Sequence, residues 1–360
     1  MRLLGTTVPG LEAFAAEDVE ALLGVEATVD HPGAVSFDAH PAAVPVLNNW
    51  SRSLHRVLLV LADGVAPDLQ TVYDIARSTP IERYVAAGQS FGVRATRHGD
   101  HPFGSPDVAD RVGQAIVDRS RAHFGERLPV DLDNPAVTVR AHLREDRLLL
   151  SIDTTGAQSL HRRSWRVCEH DAPLRPTLAH AMLRFVGYRP GDSLLDPMCG
   201  GGTIPIEAAR WAGSYPPNGH RTAFAYDRLA FPFPKAPHRA LTARSAQTRI
   251  RGFDHQARWI DCATENATAA DVEGSVTLAQ RDATTAALDA DVIAVDLPFG
   301  IRTDDNVPAL YRDFSNALAA GDWDRFVALT TRPELLEVAV DRQIELRVGR
   351  LEATLLRADR

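Results

Sequence analysis

The chain has 360 residues, of which 45% are hydrophobic and 24% charged, so it can form more than one domain of the usual size of about 100–200 residues. This composition excludes a disordered or collagen-like chain, and a formal net charge of −8 argues against a protein coated in positive charge. The sequence contains neither a signal peptide nor the roughly 18 consecutive apolar residues of a membrane span. We therefore expect a soluble, cytoplasmic protein.

The cysteines and the closest histidine pair give no sign of a cross-linked or metal-binding protein. Cys168, Cys199 and Cys262 are widely spaced, which predicts free thiols in a reducing compartment. His98 and His101 have no cysteines near them in the sequence, so this pair predicts a solvated loop. We expect no metal site.

Charge is unevenly distributed along the chain. Residues 1–51 hold one arginine and seven acids, whereas residues 52–166 hold sixteen arginines and fourteen acids. The second stretch ends in a basic cluster that contains Arg162, Arg163, Trp165 and Arg166. Arginine can bind phosphate through two parallel hydrogen bonds, but a genome rich in G and C also favours arginine over lysine. The cluster therefore indicates either a phosphate contact or an ordinary exposed loop.

The first 157 residues predict two small units of mixed helix and strand. In residues 1–62, Pro9 and Gly24 bracket an amphipathic helix, and apolar runs at 34–37 and 57–61 predict strands. In residues 63–157, predicted strands cover 90–96, 136–140 and 147–153, and a helix begins at Ser105.

From Pro176 onward the pattern changes to alternating helices and strands. The predicted helices cover 176–187, 203–213, 256–270, 308–319 and 333–340. The predicted strands cover 193–196, 249–254, 275–279, 291–296, 325–331, 343–348 and 350–357. This alternation predicts an α/β fold with a doubly wound, mostly parallel sheet that ends in an antiparallel hairpin at one edge. A ligand should bind at the carboxyl ends of the parallel strands.

One segment interrupts this alternation. Residues 214–246 contain five prolines and no periodic apolar pattern, which predicts an irregular excursion beside the strand ends. The excursion is either a surface loop or a flap that docks the substrate.

A glycine-rich turn follows the first strand of this sheet. The strand ends on Asp196, residues 197–202 form the turn, and a helix begins at Thr203. Glycines at this point let a ligand lie close to the backbone at the helix N-terminus. No Gly-Lys-Ser/Thr follows, which excludes a P-loop, and Pro205 occupies the third glycine position of a dinucleotide-binding motif.

Acidic residues end the next three strands of the predicted sheet. Asp254 can accept a hydrogen bond from a ribose hydroxyl, Asp282 can accept one from an adenine amino group, and Asp296 ends the fourth strand before Leu297, Pro298 and Phe299. Acids at successive strand ends predict a ligand that contains adenosine.

The sequence resembles the class I S-adenosylmethionine-dependent RNA guanine-N2 methyltransferases that carry a THUMP domain. The resemblance rests on residues 7–12, 153–156, 160–166, 172–179, 196–203 and 296–300. It implies a ferredoxin-like unit over residues 1–62, an RNA-binding THUMP module over 63–157, a linker over 158–175 and a Rossmann-like, seven-stranded methyltransferase domain over 176–360.

The resemblance also implies roles for individual residues. Asp296, Leu297, Pro298 and Phe299 stand where methyltransferases acting on exocyclic amines carry Asn/Asp/Ser-Pro-Pro-aromatic, in which two oxygens accept the amine hydrogens and the ring stacks on a flipped base. The implied cofactor-binding residues are Pro176, Thr177, Asp196, Met198, Cys199, Gly200, Gly202, Thr203, Asp254, Asp282 and Asp296. The implied RNA contacts are Arg162, Arg163, Trp165 and Arg166.

The resulting hypothesis is an enzyme that methylates N2 of a guanosine in structured RNA, with tRNA as the expected substrate. The alternatives are a ribosomal RNA guanine as substrate and a non-catalytic RNA-binding scaffold. DNA adenine methylation would use a similar fourth-strand motif, but the RNA-binding half favours RNA. Members of the family can depend on a small activating subunit. The sequence gives neither the nucleotide position, the number of methyl groups added, nor the oligomeric state.

Overall fold

The computed structural model describes residues 1–169, 173–235, 249–299, 307–349 and 351–360. Ala172, Gly300, Arg350 and the part of the predicted excursion from 236 to 246 lie outside these residues. The described residues form two seven-stranded sheets, one in each half of the chain, and contain no helix long and apolar enough to cross a membrane.

The first sheet joins the two small units that the sequence predicted. Its strands are β1 (Arg2–Thr6), β2 (Thr28–His31), β3 (Ala34–Asp38), β4 (Arg56–Val65), β5 (Phe91–His98), β6 (Val137–Arg144) and β7 (Arg147–Asp153). Its helices are α1 (Glu12–Leu23), α2 (Ala43–Trp50), α3 (Leu69–Ser78) and α4 (Ser105–Phe124). The strand order is β2-β3-β1-β4-β7-β6-β5. Because β4 pairs with β1 on one side and β7 on the other, the sheet is continuous, and the predicted boundary at residue 62 lies inside β4.

Strand β6 has one buried face and one partly exposed face. Along β6, buried Val137, Val139, Ala141 and Leu143 alternate with partly exposed Thr138, Arg140, His142 and Arg144. Such alternation is typical of a strand with one face in the core. The sequence analysis missed β1, β2, α2 and α3. In β1, three consecutive residues are buried, so this strand lacks the alternating pattern that reveals a half-exposed one.

The second sheet confirms the predicted α/β architecture. Its strands are β8 (Leu194–Asp196), β9 (Ile250–Asp254), β10 (Val276–Gln280), β11 (Ala290–Asp296), β12 (Trp323–Thr330), β13 (Arg342–Val348) and β14 (Leu351–Asp359). Its helices are α5 (Pro176–Phe185), α6 (Thr203–Ala212), α7 (Ala257–Ala269) and α8 (Val307–Ala320). The order is β10-β9-β8-β11-β12-β14-β13, with β8 to β12 parallel and β13 and β14 an antiparallel hairpin at the edge.

The predicted helix at 333–340 is wrong. Only Pro333–Leu335 form a single 3-10 turn. The later amides donate outside a helix: Glu337 N to Ser315 Oγ at 3.0 Å and Asp341 N to the Arg357 carbonyl at 2.9 Å. The segment therefore binds α8 and β14 instead of continuing as a helix.

The prediction of free cysteines is also wrong for two of the three. Cys168 and Cys262 form a disulfide with their Cα atoms 5.4 Å apart, and Cys199 is free and buried. These two cysteines are 94 residues apart in the sequence. Their spacing could not reveal the bond, because it forms only where the linker lies against α7.

The described part of the predicted excursion, residues 214–235, packs against the N-terminal half. Phe224, Tyr226 and Leu229 are buried in the same core as the first sheet. The Tyr226 amide donates to the Thr154 carbonyl at 3.0 Å, and the Ala230 amide donates to the Tyr84 carbonyl at 2.9 Å. This segment therefore joins the two halves and is neither a free loop nor an open flap.

A buried ion cluster also joins the halves. Glu207 on α6 is completely buried and accepts from Arg163 Nε at 3.1 Å and from Arg52 Nη1 at 3.4 Å. Arg52 precedes β4, and Arg163 lies in the linker. Buried charges are costly unless they are paired, so this cluster stabilises only the arrangement in which the three segments meet.

Candidate active site

The glycine turn after β8 has the geometry that the sequence predicted. Gly202, directly before α6, has φ of +80°, which favours glycine, and a Cβ there would lie 3.0 Å from Ala263 Cβ. Cys199 N donates to the Phe253 carbonyl at 2.7 Å, which holds the turn against β9. Burial, with repulsion from Asp196 and Asp254, raises the pKa of the Cys199 thiol well above its ordinary value, so this residue serves as a neutral packing group.

Asp254, at the end of β9, is hydrogen-bonded to the same turn. Its two carboxylate oxygens accept from Gly200 N at 3.1 Å and from Gln256 N at 2.9 Å. A carboxylate has about four acceptor positions, so both oxygens can accept further hydrogen bonds. Asp254 can thus shape the turn and bind a hydroxyl group at the same time.

Asp196 is a buried acid and Asp296 is a half-buried acid, and they end the neighbouring strands β8 and β11. Burial, with repulsion from Asp296 and Asp254, raises the pKa of Asp196 well above its ordinary value, and its carboxylate accepts from Met198 N at 3.1 Å. Burial raises the pKa of Asp296 to about 7. Asp296 Oδ1 has no hydrogen-bond partner among the described residues. An unpartnered buried acceptor at this edge indicates a ligand that donates hydrogen bonds or carries positive charge.

The residues after Asp296 are held from behind by β12 and α8. Leu297 is buried, and its amide donates to the Leu329 carbonyl at 3.0 Å. The Tyr311 hydroxyl contacts the Pro298 carbonyl at 3.1 Å. Pro298 and Phe299 are half-buried, so each keeps part of its surface available to a substrate.

Asp282 differs from the other three acids. It is exposed, and its carboxylate accepts from the Thr284 amide at 2.9 Å and hydroxyl at 2.7 Å, which lower its pKa. The adjacent Arg281 binds back to the site through its amide, which donates to the Asp254 carbonyl at 3.0 Å. Asp282 therefore lies at the rim of the strand ends, and its contact with adenine stays a prediction.

Two other predicted cofactor residues lie at the junction of the halves. Pro176 and Thr177 are buried in the first turn of α5. The Thr177 hydroxyl is hydrogen-bonded to His55 Nε2 at 3.0 Å. The structure thus gives Thr177 a partner in the N-terminal half, and the predicted cofactor contacts of both residues stay predictions.

The linker contacts the glycine turn directly. Asn266 on α7 is buried, and its amide group donates to the carbonyls of Gly201 and Cys168, both at 2.9 Å. Its Oδ1 accepts from Val167 N at 2.9 Å and Cys168 N at 3.0 Å. Arg166 Nη2 donates to Thr203 Oγ1 at 2.8 Å. The linker is therefore part of the wall that supports the turn.

The predicted RNA contacts are wrong for Arg163 and Trp165. Both side chains are buried, with Arg163 on Glu207 and Trp165 in the core of the catalytic half, so neither can reach a phosphate. Arg166 donates hydrogen bonds through Nη2 to the Leu174 carbonyl and to Thr203 Oγ1. Arg162 is exposed, and its contact with RNA stays a prediction.

The described site fits S-adenosylmethionine, which carries sulfonium and ammonium charges and two ribose hydroxyls. Burial raises the pKa of both Asp196 and Asp296, and a bound cation would favour their ionised forms. Gly252 on β9 pairs with Asp196 on β8, and a Cβ at Gly252 would lie 3.1 Å from Cys199 Sγ. The absence of a side chain at Gly252 therefore lets the turn pack closely against β9. The site thus offers acidic acceptors beside a glycine turn.

Comparison with known proteins places the chain in a family. Residues 163–354 match the RMKL-like methyltransferase domain. The chain belongs to the RMKL-like methyltransferase family. This methyltransferase also matches the THUMP domain over residues 66–153 and the RlmL ferredoxin-like domain over residues 2–58.

Relatives and a solved structure cover nearly the whole RMKL-like methyltransferase. It is 34% identical over 320 residues to the tRNA (guanine(6)-N2)-methyltransferase of Archaeoglobus fulgidus, covering 88% of this chain and 79% of that one. It is 29% identical over 350 residues to the enzyme of the same name from Methanocaldococcus jannaschii, covering 93% and 92%. SMU.472 complexed with SAH superposes with a TM-score of 0.86 at 25% identity, covering 99% and 97%.

Sequence reasoning missed three residues that support the site of this methyltransferase. Asn266 lies between Ala263 and Ala267 on the apolar side of α7, and Glu207 interrupts an otherwise apolar run in α6. A polar residue on a buried helix face was the available signal for both. Tyr311 gave no such signal, because a tyrosine on an apolar helix face is ordinary core composition.

Proposed function

We propose that this protein transfers the methyl group of S-adenosylmethionine to N2 of a guanosine in tRNA, at position 6. The proposal rests on Asp296, whose buried Oδ1 atom has no hydrogen-bond partner among the described residues. After Leu297, the chain continues with the half-buried Pro298 and Phe299. The two archaeal relatives are tRNA (guanine(6)-N2)-methyltransferases, which supports tRNA over ribosomal RNA and supports position 6. We propose a cytoplasmic location because tRNA is the substrate.

Asp296 and Leu297 would orient the reacting nitrogen. The exocyclic amine of guanine has two hydrogens, and the Asp296 carboxylate and the Leu297 carbonyl can each accept one of them. Holding both hydrogens directs the nitrogen lone pair away from the base plane, toward the methyl donor. S-adenosylmethionine, when bound, supplies an activated methyl group on its sulfonium. Phe299 offers a ring face on which a flipped base can stack.

The charge of Asp296 would act during the transfer. The nitrogen becomes positive as it gains the methyl group, and an ionised carboxylate beside it stabilises that charge. The nitrogen then loses a proton, which Asp296 can accept at Oδ1. A pKa near 7 suits a group that must both ionise and take up a proton near neutral pH.

RNA would approach along the junction between the two halves. Burial and repulsion from nearby arginines lower the pKa of His55 to about 3 and of His161 to about 4. The arginines that act on these two histidines are Arg56, Arg162, Arg163 and Arg175. Of these arginines, Arg163 is paired with buried Glu207 and Arg56 with Asp153, whereas Arg162 is exposed. We assign the phosphate contact at this point to exposed Arg162.

The direct test is methylation of a tRNA transcript by the purified chain, followed by mass spectrometry of the nucleosides. We expect N2-methylguanosine, and none with Asp296→Ala. A ribosomal RNA fragment in the same assay tests the alternative substrate. Activity of the chain alone would show that no activating subunit is needed.

Calorimetry with S-adenosylmethionine distinguishes an enzyme from a scaffold. A chain that binds RNA but not S-adenosylmethionine would be the non-catalytic scaffold. Methylated adenosine in the product would contradict the proposed guanosine specificity.

A further inference from the structure

We propose that Tyr311 is a positioning residue that fixes the Pro298 carbonyl and, through it, the ring of Phe299. This inference rests on the proposed function, since Phe299 is the surface on which the target base is to stack. Tyr311 lies on α8, completely buried, behind the segment that would contact the substrate. Its hydroxyl therefore acts on the reaction through the Pro298 carbonyl that it holds.

The hydroxyl of Tyr311 belongs to a short chain of hydrogen bonds. The Arg332 amide donates to Thr330 Oγ1 at 2.9 Å. Thr330 Oγ1 and the Tyr311 hydroxyl are 2.8 Å apart, and the Tyr311 hydroxyl is 3.1 Å from the Pro298 carbonyl. One assignment satisfies every member: Arg332 donates to Thr330, Thr330 to Tyr311, and Tyr311 to Pro298. Each donor in such a chain strengthens the next.

The Pro298 carbonyl belongs to the peptide group that joins Pro298 to Phe299. Because proline already fixes its own φ angle, a restraint on this carbonyl fixes the plane from which Phe299 projects. The Phe299 carbonyl accepts from Thr331 Oγ1 at 3.4 Å. The carbonyls of Pro298 and Phe299 are therefore both held by residues behind this segment.

This anchoring explains how the segment tolerates Leu297 in place of the first proline of the family motif. Leucine lacks the fixed φ angle of proline, but it has an amide hydrogen, which it donates to Leu329 at 3.0 Å. With Tyr311 on Pro298 and Thr331 on Phe299, three consecutive residues are bound to β12, to the residues after it, or to α8. Hydrogen bonds thus supply rigidity that the missing proline would otherwise supply.

Tyr311→Phe tests the inference, because it removes the hydroxyl and leaves the ring. Tyr188→Phe is the matched control, since Tyr188 is also buried and its hydroxyl has no partner among the described residues. We expect kcat to fall between about 10- and 100-fold in Tyr311→Phe, as for a misplaced reacting group. The Kd of S-adenosylmethionine should change less than about twofold, because Tyr311 contacts none of the acids of the turn, and Tyr188→Phe should match the wild type.

A second pair of variants separates positioning from general stability. Thr330→Val breaks the hydrogen-bond chain and should lower kcat, whereas Thr330→Ser retains the hydroxyl and should restore it. A readout independent of turnover is the fluorescence of RNA with 2-aminopurine at the target nucleotide, which reports stacking of that base. We expect Tyr311→Phe to shift this fluorescence toward that of Phe299→Ala.

Unchanged kcat in Tyr311→Phe, with an active wild type, would overturn this inference and leave the proposed function intact. Equal losses of kcat and Tm in Tyr311→Phe and Tyr188→Phe would also overturn it, because the effect would then be general destabilisation. A folded wild type that methylates no guanosine would overturn the proposed function and the role of Tyr311 with it.

Discussion

The side-chain amide of Asn266 donates a hydrogen bond of 2.9 Å to the carbonyl of Gly201, at the centre of the glycine turn. The same side chain accepts from the amides of Val167 and Cys168, so one residue binds both the turn and the linker. The linker continues directly from the THUMP module. Asn266 therefore connects the linker after the THUMP module to the glycine turn after β8.

Asn266→Ala should weaken the binding of S-adenosylmethionine. The substitution leaves the Gly201 carbonyl and two linker amides without their partner, which costs roughly 1–3 kcal/mol for a buried group. Calorimetry should show a raised Kd, and urea unfolding should show lower stability. Asn266→Asp keeps the acceptor for the linker amides but sets a buried carboxylate oxygen against the carbonyls of Gly201 and Cys168, so it should not restore the stability lost in Asn266→Ala. Exposed Thr264 on the same helix supplies the control Thr264→Ala; an equal Kd in both alanine variants would contradict this role.

Reduction of the Cys168–Cys262 disulfide should destabilise the protein. The bond joins cysteines 94 residues apart, and a disulfide typically gives about 2–4 kcal/mol of stabilisation. Urea unfolding with and without a dithiol reductant measures the difference. Cys262→Ser should match the reduced wild type and should not respond to reductant. A response to reductant in Cys262→Ser would show that the reductant acts elsewhere.

The sequence predicted the strand ends of the catalytic sheet better than the joint between the halves. Asp196, Asp254 and Asp296 follow apolar runs whose period identifies the strands, and the parallel alternation requires their carboxyl ends to meet. By contrast, Arg163 was predicted as an RNA contact because local sequence cannot show that Glu207, 44 residues later, occupies the position opposite it. The disulfide and the docking of residues 224–229 on the first sheet were missed for the same reason.

Arg162→Ala should affect RNA binding, whereas Arg163→Ala should affect the stability of the fold. Arg162 is exposed, so its loss should weaken RNA binding and reduce the slope of log affinity against log salt by about one unit, with stability unchanged. Arg163 is paired with buried Glu207, so its loss should cost about 3–5 kcal/mol of stability, as when one partner of a buried pair is removed. Salt-dependent binding and urea unfolding of both variants provide the measurement. An unchanged salt slope in Arg162→Ala would place the phosphate contact elsewhere, with Arg94, Arg97, Arg140 and Arg144 as the next candidates.

The activity should rise with pH as Asp296 ionises. Burial raises the pKa of Asp296 from 3.8 to about 7, and kcat/KM reports the ionisation of the free enzyme. We therefore expect kcat/KM for S-adenosylmethionine to rise with pH to a plateau, with a midpoint near pH 7. Asp296→Asn keeps an acceptor but not the charge, so its rate should be lower and should lack this midpoint. A midpoint that persists in Asp296→Asn would assign the titration to another group.

The same pKa shift predicts an effect on stability. A raised pKa means that the folded state holds the Asp296 proton more tightly than the unfolded state does. Its contribution is fully present below about pH 4 and is lost as the pH rises through about 7. The free energy of unfolding of Asp296→Asn relative to wild type should therefore increase between these pH values and level off above them. A constant difference across this range would contradict the shift.

The most direct test of the proposed N2 methylation is a comparison of two tRNA transcripts that differ only at nucleotide 6. One carries guanosine and the other carries inosine, which lacks the N2 amine and keeps the rest of the base. The proposed function predicts N2-methylguanosine at position 6 of the first transcript and no methyl transfer to the second at that position, with similar affinity for both RNAs. Equal methylation of both transcripts would contradict it, because the acceptor atom would then not be the amine that Asp296 and Leu297 are proposed to hold.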